Sequence, residues 1–152
     1  MPGRTALLIR ENKYVSSITR LYGKLVRLLD SSGEVSQILY ALYMEGPQTQ
    51  RQICTGYSIP PQTVNNIVLA MQKKGIVVLE ENAADRRSKI IKFTEKGQSF
   101  AKKQIGAIVS FEKKAVSRMG IENYEKLVEL QELFYSSMRA ELDEEIERTK
   151  RN

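Results

Sequence analysis

From Tyr124 onward, apolar residues return every three or four positions: Tyr124, Leu127, Leu130, Phe134, Met138, Leu142 and Ile146. On a helix of 3.6 residues per turn this spacing forms one continuous stripe. A helix this long draws most of its stability from burying that stripe, so the stripe needs a cover. The other end of the chain makes the same demand. Tyr14, Val15, Ile18, Leu21, Tyr22, Leu25, Val26, Leu28 and Leu29 recur at helical spacing among Lys13, Arg20, Lys24 and Arg27, and predict a helix over roughly residues 8–30. The stretch between is too small to cover both helices along their full length. A symmetric second copy is the expected cover; the alternative is that the two terminal helices pack on each other within a monomer.

The middle of the chain is punctuated. Asp30-Ser31-Ser32-Gly33 breaks the first helix, and Ser31 with Glu34 has capping-box spacing, so a second helix is expected from near Glu34 with Val35, Ile38, Leu39 and Leu42 on its buried face. Gly46-Pro47 ends it. Thr49 and Gln52 repeat the capping-box spacing and open a short helix through about Thr55, followed by a tight connection, Gly56-Tyr57-Ser58-Ile59. Pro60-Pro61 starts another helix, where a missing amide hydrogen costs nothing, and Val64, Ile67, Val68 and Met71 form its apolar stripe. Lys73-Lys74-Gly75 closes it, with cations at the negative end of the dipole. Helix, glycine turn, helix is the order of a helix-turn-helix.

A short apolar run, Val77-Val78-Leu79, and the polar turn Asn82-Ala83-Ala84 come next, and lead into Asp85-Arg86-Arg87-Ser88-Lys89-Ile90-Ile91-Lys92-Phe93. Two short strands are expected to pair around a tip carrying Asp85, Arg86 and Arg87, with Thr94 capping a further helix whose apolar residues run from Phe100 to Met119. Asp85 and Arg87 are expected two residues apart on a strand, so their side chains leave the same face and the carboxylate can orient the guanidinium. An oriented arginine suits a narrow minor groove, where negative potential is enhanced. Arg86 and Lys89 are placed to reach phosphates, and Arg51, Lys73 and Lys74 are further candidates for phosphate contact. An ion pair on a solvated surface is the plainer reading of the same residues.

On the helix that begins at Pro60-Pro61, an inward Val64, Ile67 and Val68 turn Gln62, Thr63, Asn65 and Asn66 outward. Asn and Gln can make paired hydrogen bonds to adenine edges, and Thr can meet a thymine methyl group or a phosphate. A plain polar helix surface has the same composition, and what adds weight is the position between the turn and the cationic hairpin.

Charge follows the same division. The chain of 152 residues carries a net +6, but residues 50–103 hold ten basic and four acidic side chains while residues 121–152 hold five basic and nine acidic. The middle suits a polyanion and the C-terminal part does not. The single cysteine, Cys54, rules out an internal disulfide and fits a reducing compartment. There is no histidine, which removes the usual zinc ligand sets and the commonest general base. No metal, no cofactor and no enzymatic activity are expected. No stretch approaches a membrane span and none near the N-terminus reads as a secretory signal, so a cytoplasmic protein without membrane contact is expected.

The spacing Asp85-x-Arg87, five residues, then Phe93-Thr94-x-x-Gly97 resembles the wing signature of the MarR family of winged-helix transcriptional regulators, with phenylalanine where the family usually has leucine. The order of helices on both sides matches as well. The resemblance implies a mainly α fold with a small β-hairpin wing: a winged helix-turn-helix with long N- and C-terminal dimerisation helices. Residues 1–33 would form the first dimerisation helix, 34–97 the DNA-binding lobe and 98–152 the C-terminal dimerisation helices. It further implies a homodimer on double-stranded DNA with a roughly palindromic operator, most often as a repressor. In that reading Gln62, Thr63, Asn65 and Asn66 face bases, Arg87 enters the minor groove and Asp85 orients it. Many members answer to a small amphipathic or phenolic ligand in a cleft that Tyr14, Tyr22, Tyr40 and Tyr43 would border, with Arg10, Lys13 and Arg20 to attract an anion. The competing function is a winged-helix module that docks an acidic protein partner without specific DNA binding.

Overall fold

The computed structural model describes residues 2–29 and 31–151. Helices α1 (Pro2–Leu28) and α2 (Gly33–Glu45) come first, followed by strand β1 (Gln48–Thr49). The pair α3 (Gln50–Tyr57) and α4 (Pro61–Lys73) follows, then the hairpin β2 (Val77–Glu81) and β3 (Lys89–Phe93). Two long helices, α5 (Glu95–Met119) and α6 (Ile121–Arg151), complete the chain. The fold is a mostly helical winged helix. It divides into two compact units, Met1–Val109 and Ser110–Asn152.

In the first unit α2, α3 and α4 close over one face of a three-stranded antiparallel sheet of order β1-β3-β2. Ile38 and Leu39 of α2, Ile53 of α3, Val64 and Val68 of α4, Val77 and Ile91 of the sheet and Ile105 of α5 are all but sealed from solvent. Each aliphatic side chain of this size contributes about 1.5–3 kcal/mol by leaving water. The hairpin register pairs Val77 with Phe93, Leu79 with Ile91 and Glu81 with Lys89. The pleat therefore sends Val77 and Ile91 into the core while Val78 and Lys92 stay outside.

Local structure departs from the sequence reading at several points. α1 begins near the start of the chain and ends at Leu28, where Leu29 and Ser31 both donate backbone hydrogen bonds to Val26 O. Asp30, expected to help break the helix, lies outside the described residues. The cap of α2 is Ser32, whose Oγ accepts from Val35 N; Ser31, expected in that role, turns its hydroxyl to Ser32 O and accepts from Ser36 Oγ. α3 runs two residues past Thr55, so the turn of the helix pair is made by Ser58, at φ 52, and not by Gly56. A left-handed serine is uncommon, which is why a glycine attracts the prediction. β1 was not expected at all. Two residues give no periodicity, and Gln48 and Thr49 pair with Ile91 and Ile90 only because the chain passes the free edge of β3 on its way into α3.

The second unit holds the end of α5, from Ser110, and α6. Gly120, at φ 88, is the single residue between the two helices, and its left-handed conformation lets Tyr124 N donate to Gly120 O as α6 begins. α6 keeps a solvent-facing apolar series, including Leu130, Phe134 and Leu142.

A candidate nucleic-acid interface on α4 and the wing

Val64, Val68 and Met71 set the buried phase of α4. Gln62 and Asn66 fall on its outer face, while Thr63 and Asn65 lie on the flanks and are half-buried. The four candidates are therefore not equivalent. Gln62 Nε2 donates to Asn66 Oδ1 at 3.0 Å, joining the two outermost amides one turn apart. Asn65 Oδ1 accepts from Gln50 Nε2 on α3 at 3.4 Å. Gln50 was not among the expected site residues; its partner is 15 positions away and only the fold brings them together.

The other end of α4 is built into the base of the wing. Gly75, at φ 66, turns the chain out of the helix, and Thr94 then binds this corner from the far strand. Thr94 N donates to Ile76 O at 3.0 Å and Thr94 Oγ1 to Gly75 O at 2.6 Å. The same hydroxyl accepts from Gly97 N at 2.9 Å and so caps α5. Lys96 Nζ reaches Lys74 O at 2.7 Å. Gly97 is required here because a Cβ on it would lie 1.8 Å from Ile76 O. The run from Phe93 to Gly97 is thus the joint that sets the hairpin against α4.

The tip of the wing is a pair of side-chain-closed turns. Asn82 Oδ1 accepts from Ala84 N at 3.0 Å, and Asp85 Oδ1 accepts from Arg87 N at 3.0 Å. Ser88 N donates to Asp85 O at 3.0 Å, and Asn82 Nδ2 donates to Ser88 Oγ at 2.8 Å. Asp85 and Arg87 therefore sit in the connection and not on a strand, which corrects the expected pleat geometry. Their proximity comes instead from the turn, with Arg87 Nε 3.8 Å from Asp85 Oδ1. The Arg87 side chain is 97% exposed. An ion pair this open adds little stability; what Asp85 adds is shape, by holding the backbone on which Arg87 stands.

Arg86 is exposed at the same tip, and Arg51 and Lys73 are exposed on α3 and at the end of α4. Lys89 faces Glu81 across the hairpin at 3.5 Å, and Lys92 faces Glu80 at 3.3 Å, so the strands carry balanced charge, while the tip, with Arg86 and Arg87 against Asp85 alone, keeps a net positive charge. One further contact ties the helices behind the site. Tyr57, the last residue of α3, donates its hydroxyl to Glu45 Oε1 at 2.5 Å, and Gln48 Nε2 donates to Glu45 Oε2 at 3.0 Å. Burial, then the hydrogen bond to the Glu45 carboxylate and its charge, push the Tyr57 phenol well above its ordinary range.

The tyrosines expected around a ligand cleft are dispersed. Tyr14 and Tyr22 stand exposed on α1, whereas Tyr40 and Tyr43 are half-buried on α2 against the core. An open groove along α1 is lined by Leu8, Asn12, Lys13 and Arg20 among others and includes none of the four. Cys54 is half-buried beside the core. Among the described residues no helix is long and apolar enough to cross a membrane, and no group of three or more His, Cys, Asp or Glu side chains could hold a metal ion.

Residues 30–88, from the start of α2 to the tip of the wing, match the model of the MarR family. The match is to part of the chain, and the fold around it is that of a winged helix. The chain's architecture is similar to that of a solved MarR family regulator from Neisseria meningitidis, with a TM-score of 0.82 at 23% identity over 91% of this chain and 97% of that one. It is also similar to MepR of S. aureus in its DNA-binding conformation, with a TM-score of 0.69 at 21% identity over 88% and 97% of the two chains. NadR in complex with 4-hydroxyphenylacetate superposes with a TM-score of 0.67 at 16% identity over 84% and 89%. No curated protein sequence matches the chain. The fold this chain adopts is the one seen in these solved structures.

Proposed function

We propose that this protein is a homodimeric, sequence-specific DNA-binding regulator, acting as a repressor on a pseudo-palindromic operator. The observation that carries the reading is the pairing of an outward amide face on α4 with a net cationic tip on the wing, joined through the Thr94 and Gly97 contacts. A helix of this kind enters a major groove by its N-terminal half, where Gln62, Thr63, Asn65 and Asn66 lie, and its amide dipoles favour a nearby phosphate. Arg87 takes the adjacent minor groove, and Arg86, Lys89, Arg51 and Lys73 take phosphates. MepR has been solved in a DNA-binding conformation, which supports the same use of this fold.

Two copies are needed to read two half-sites. The exposed apolar series of α1, with Leu8, Ile18 and Leu21, and of α6, with Leu130, Phe134 and Leu142, supply the surface for a symmetric partner. Residues 1–33 and 98–152 serve the dimer and residues 34–97 the duplex. A small phenolic or otherwise amphipathic anion relieves repression in this reading. The support is the NadR complex with a phenolic acid and the cationic Lys13 and Arg20 along the α1 groove; Tyr14, Tyr22, Tyr40 and Tyr43 are the aromatic candidates. The site of action is the cytoplasm.

The test is selection of duplexes from a random pool followed by gel shift at several salt concentrations. A palindromic consensus whose half-sites lie about 34 Å apart is expected, with affinity falling steeply as salt rises because phosphate contacts release counterions. Recovery of no consensus, with salt-insensitive binding to an acidic protein instead, would overturn the reading.

A further inference from the structure

Gln62, Asn66, Leu69 and Lys73 follow one another on α4 at steps of four, three and four, so they share its outer stripe, opposite Val64, Val68 and Met71. Three of the four are polar or charged. Leu69 is apolar and 43% exposed. A single exposed leucine ordinarily means nothing, but this one stands in the row that faces the duplex. It lies one turn beyond Asn66 and one turn before Lys73, about 10 Å along the helix axis from Gln62.

The major groove presents polar edges on every base pair and a single apolar group, the 5-methyl of thymine. Leucine offers no hydrogen bond. Set over a cytosine amino group or a guanine carbonyl, it would take water from a polar edge and return nothing, which is costly. Set over a thymine, it buries a methyl group against a branched aliphatic side chain. We propose that Leu69 is a specificity-determining residue that recognises a thymine methyl group on the floor of the major groove. This rests on the DNA-binding reading above and adds to it a base, a chemical group and a residue that no hydrogen-bonding pattern provides.

Replacing thymine by deoxyuridine deletes only the methyl group and keeps Watson–Crick pairing, so it isolates the contact. On a selected duplex, single deoxyuridine substitutions are titrated against the wild-type protein and L69A. Because Leu69 lies outside the core, L69A is expected to melt like the wild type. At one thymine in each half-site the wild type loses about fourfold in affinity, the value of one methyl-sized burial. L69A binds the all-thymine duplex more weakly by a similar factor and shows no further loss at that position. K73A serves as the contrast: its salt dependence becomes shallower while its response to deoxyuridine is unchanged. A wild type indifferent to deoxyuridine at every thymine overturns the inference, and so does an L69A variant that keeps the full penalty. In either case the DNA-binding reading survives; failure to select any duplex ends both.

Discussion

Gln50, the first residue of α3, donates a hydrogen bond to Asn65 on α4 at 3.4 Å. The acceptor end of the Asn65 amide is therefore engaged within the lobe, leaving its amino group for an outside acceptor. Asn65→Ala is expected to flatten base preference at one position of a selected duplex, by about tenfold in discrimination. Gln50→Ala is expected to flatten the same position less, with an unchanged melting temperature. Lys89→Ala is expected to weaken all duplexes alike. Duplex selection repeated with each variant checks the three against one another; equal losses on specific and random DNA for all of them would remove Asn65 from the base-reading face.

The wing tip separates two roles that Asp85 combines. Arg87→Ala is expected to weaken binding by about tenfold or more and to reduce the salt slope by about one. Asp85→Asn keeps an oxygen for Arg87 N and loses only the open ion pair, so its effect should be smaller than that of Asp85→Ala, which removes the oxygen as well. Gel-shift titrations on one duplex give the order; a loss for Asp85→Asn as large as for Asp85→Ala would assign the role to charge and not to turn geometry.

Gly97→Ala places a methyl group 1.8 Å from a backbone oxygen, where neither side is free to yield. Overpacking of this kind costs about 1–3 kcal/mol. Urea unfolding should show a lower midpoint with a similar slope. Gly33→Ala is a useful contrast, since a Cβ there meets nothing within 4 Å.

The Tyr57–Glu45 contact predicts a difference at alkaline pH. Because the folded protein holds the phenol protonated beyond its usual pKa of about 10, the folded state binds more protons than the unfolded one above that pH. Stability from this group is fully present below the unfolded pKa and is lost as pH rises through the folded one. Tyr57→Phe should therefore show a shallower loss of melting temperature above about pH 10 than the wild type. Superimposable profiles would remove the phenol from the account.

The proposed dimer is checked on α6. Leu130→Glu together with Phe134→Glu places charge on side chains that are already exposed in the single chain. If a second copy covers them, light scattering will show monomer at concentrations where the wild type is a dimer, and operator binding will fall with it. An unchanged mass would assign the cover elsewhere.

The parts of the fold that sequence announces are those with a period or a hard stop. α4 is bracketed by Pro60-Pro61 and Gly75, and α6 by Gly120 and its own stripe, so these elements were legible. β1 was not, because two residues of edge pairing leave no pattern. Ser31 and Ser32 offer the same hydroxyl, and the spacing to Glu34 favoured the wrong one; the choice depends on which backbone turns extended, and that is Ser32 at ψ 163. Asp85 and Arg87 were legible as partners but not as turn residues, since a short Asx turn and a strand both bring residues two apart together. The contribution of Gln50 is a tertiary contact and has no local sequence signature. Leu69 was legible in principle: the phase of Val64, Val68 and Met71 already puts it on the far side of α4.

The joint at Thr94 has a mechanical consequence. Lys96 grips the carbonyl of Lys74, and Thr94 grips those of Gly75 and Ile76, so the first turn of α5 and the last turn of α4 share a hinge pin with no slack between them. A twist applied to the start of α5 is passed to α4 through these contacts, and if α4 enters a duplex as proposed, a load from the duplex returns to α5 along the same path.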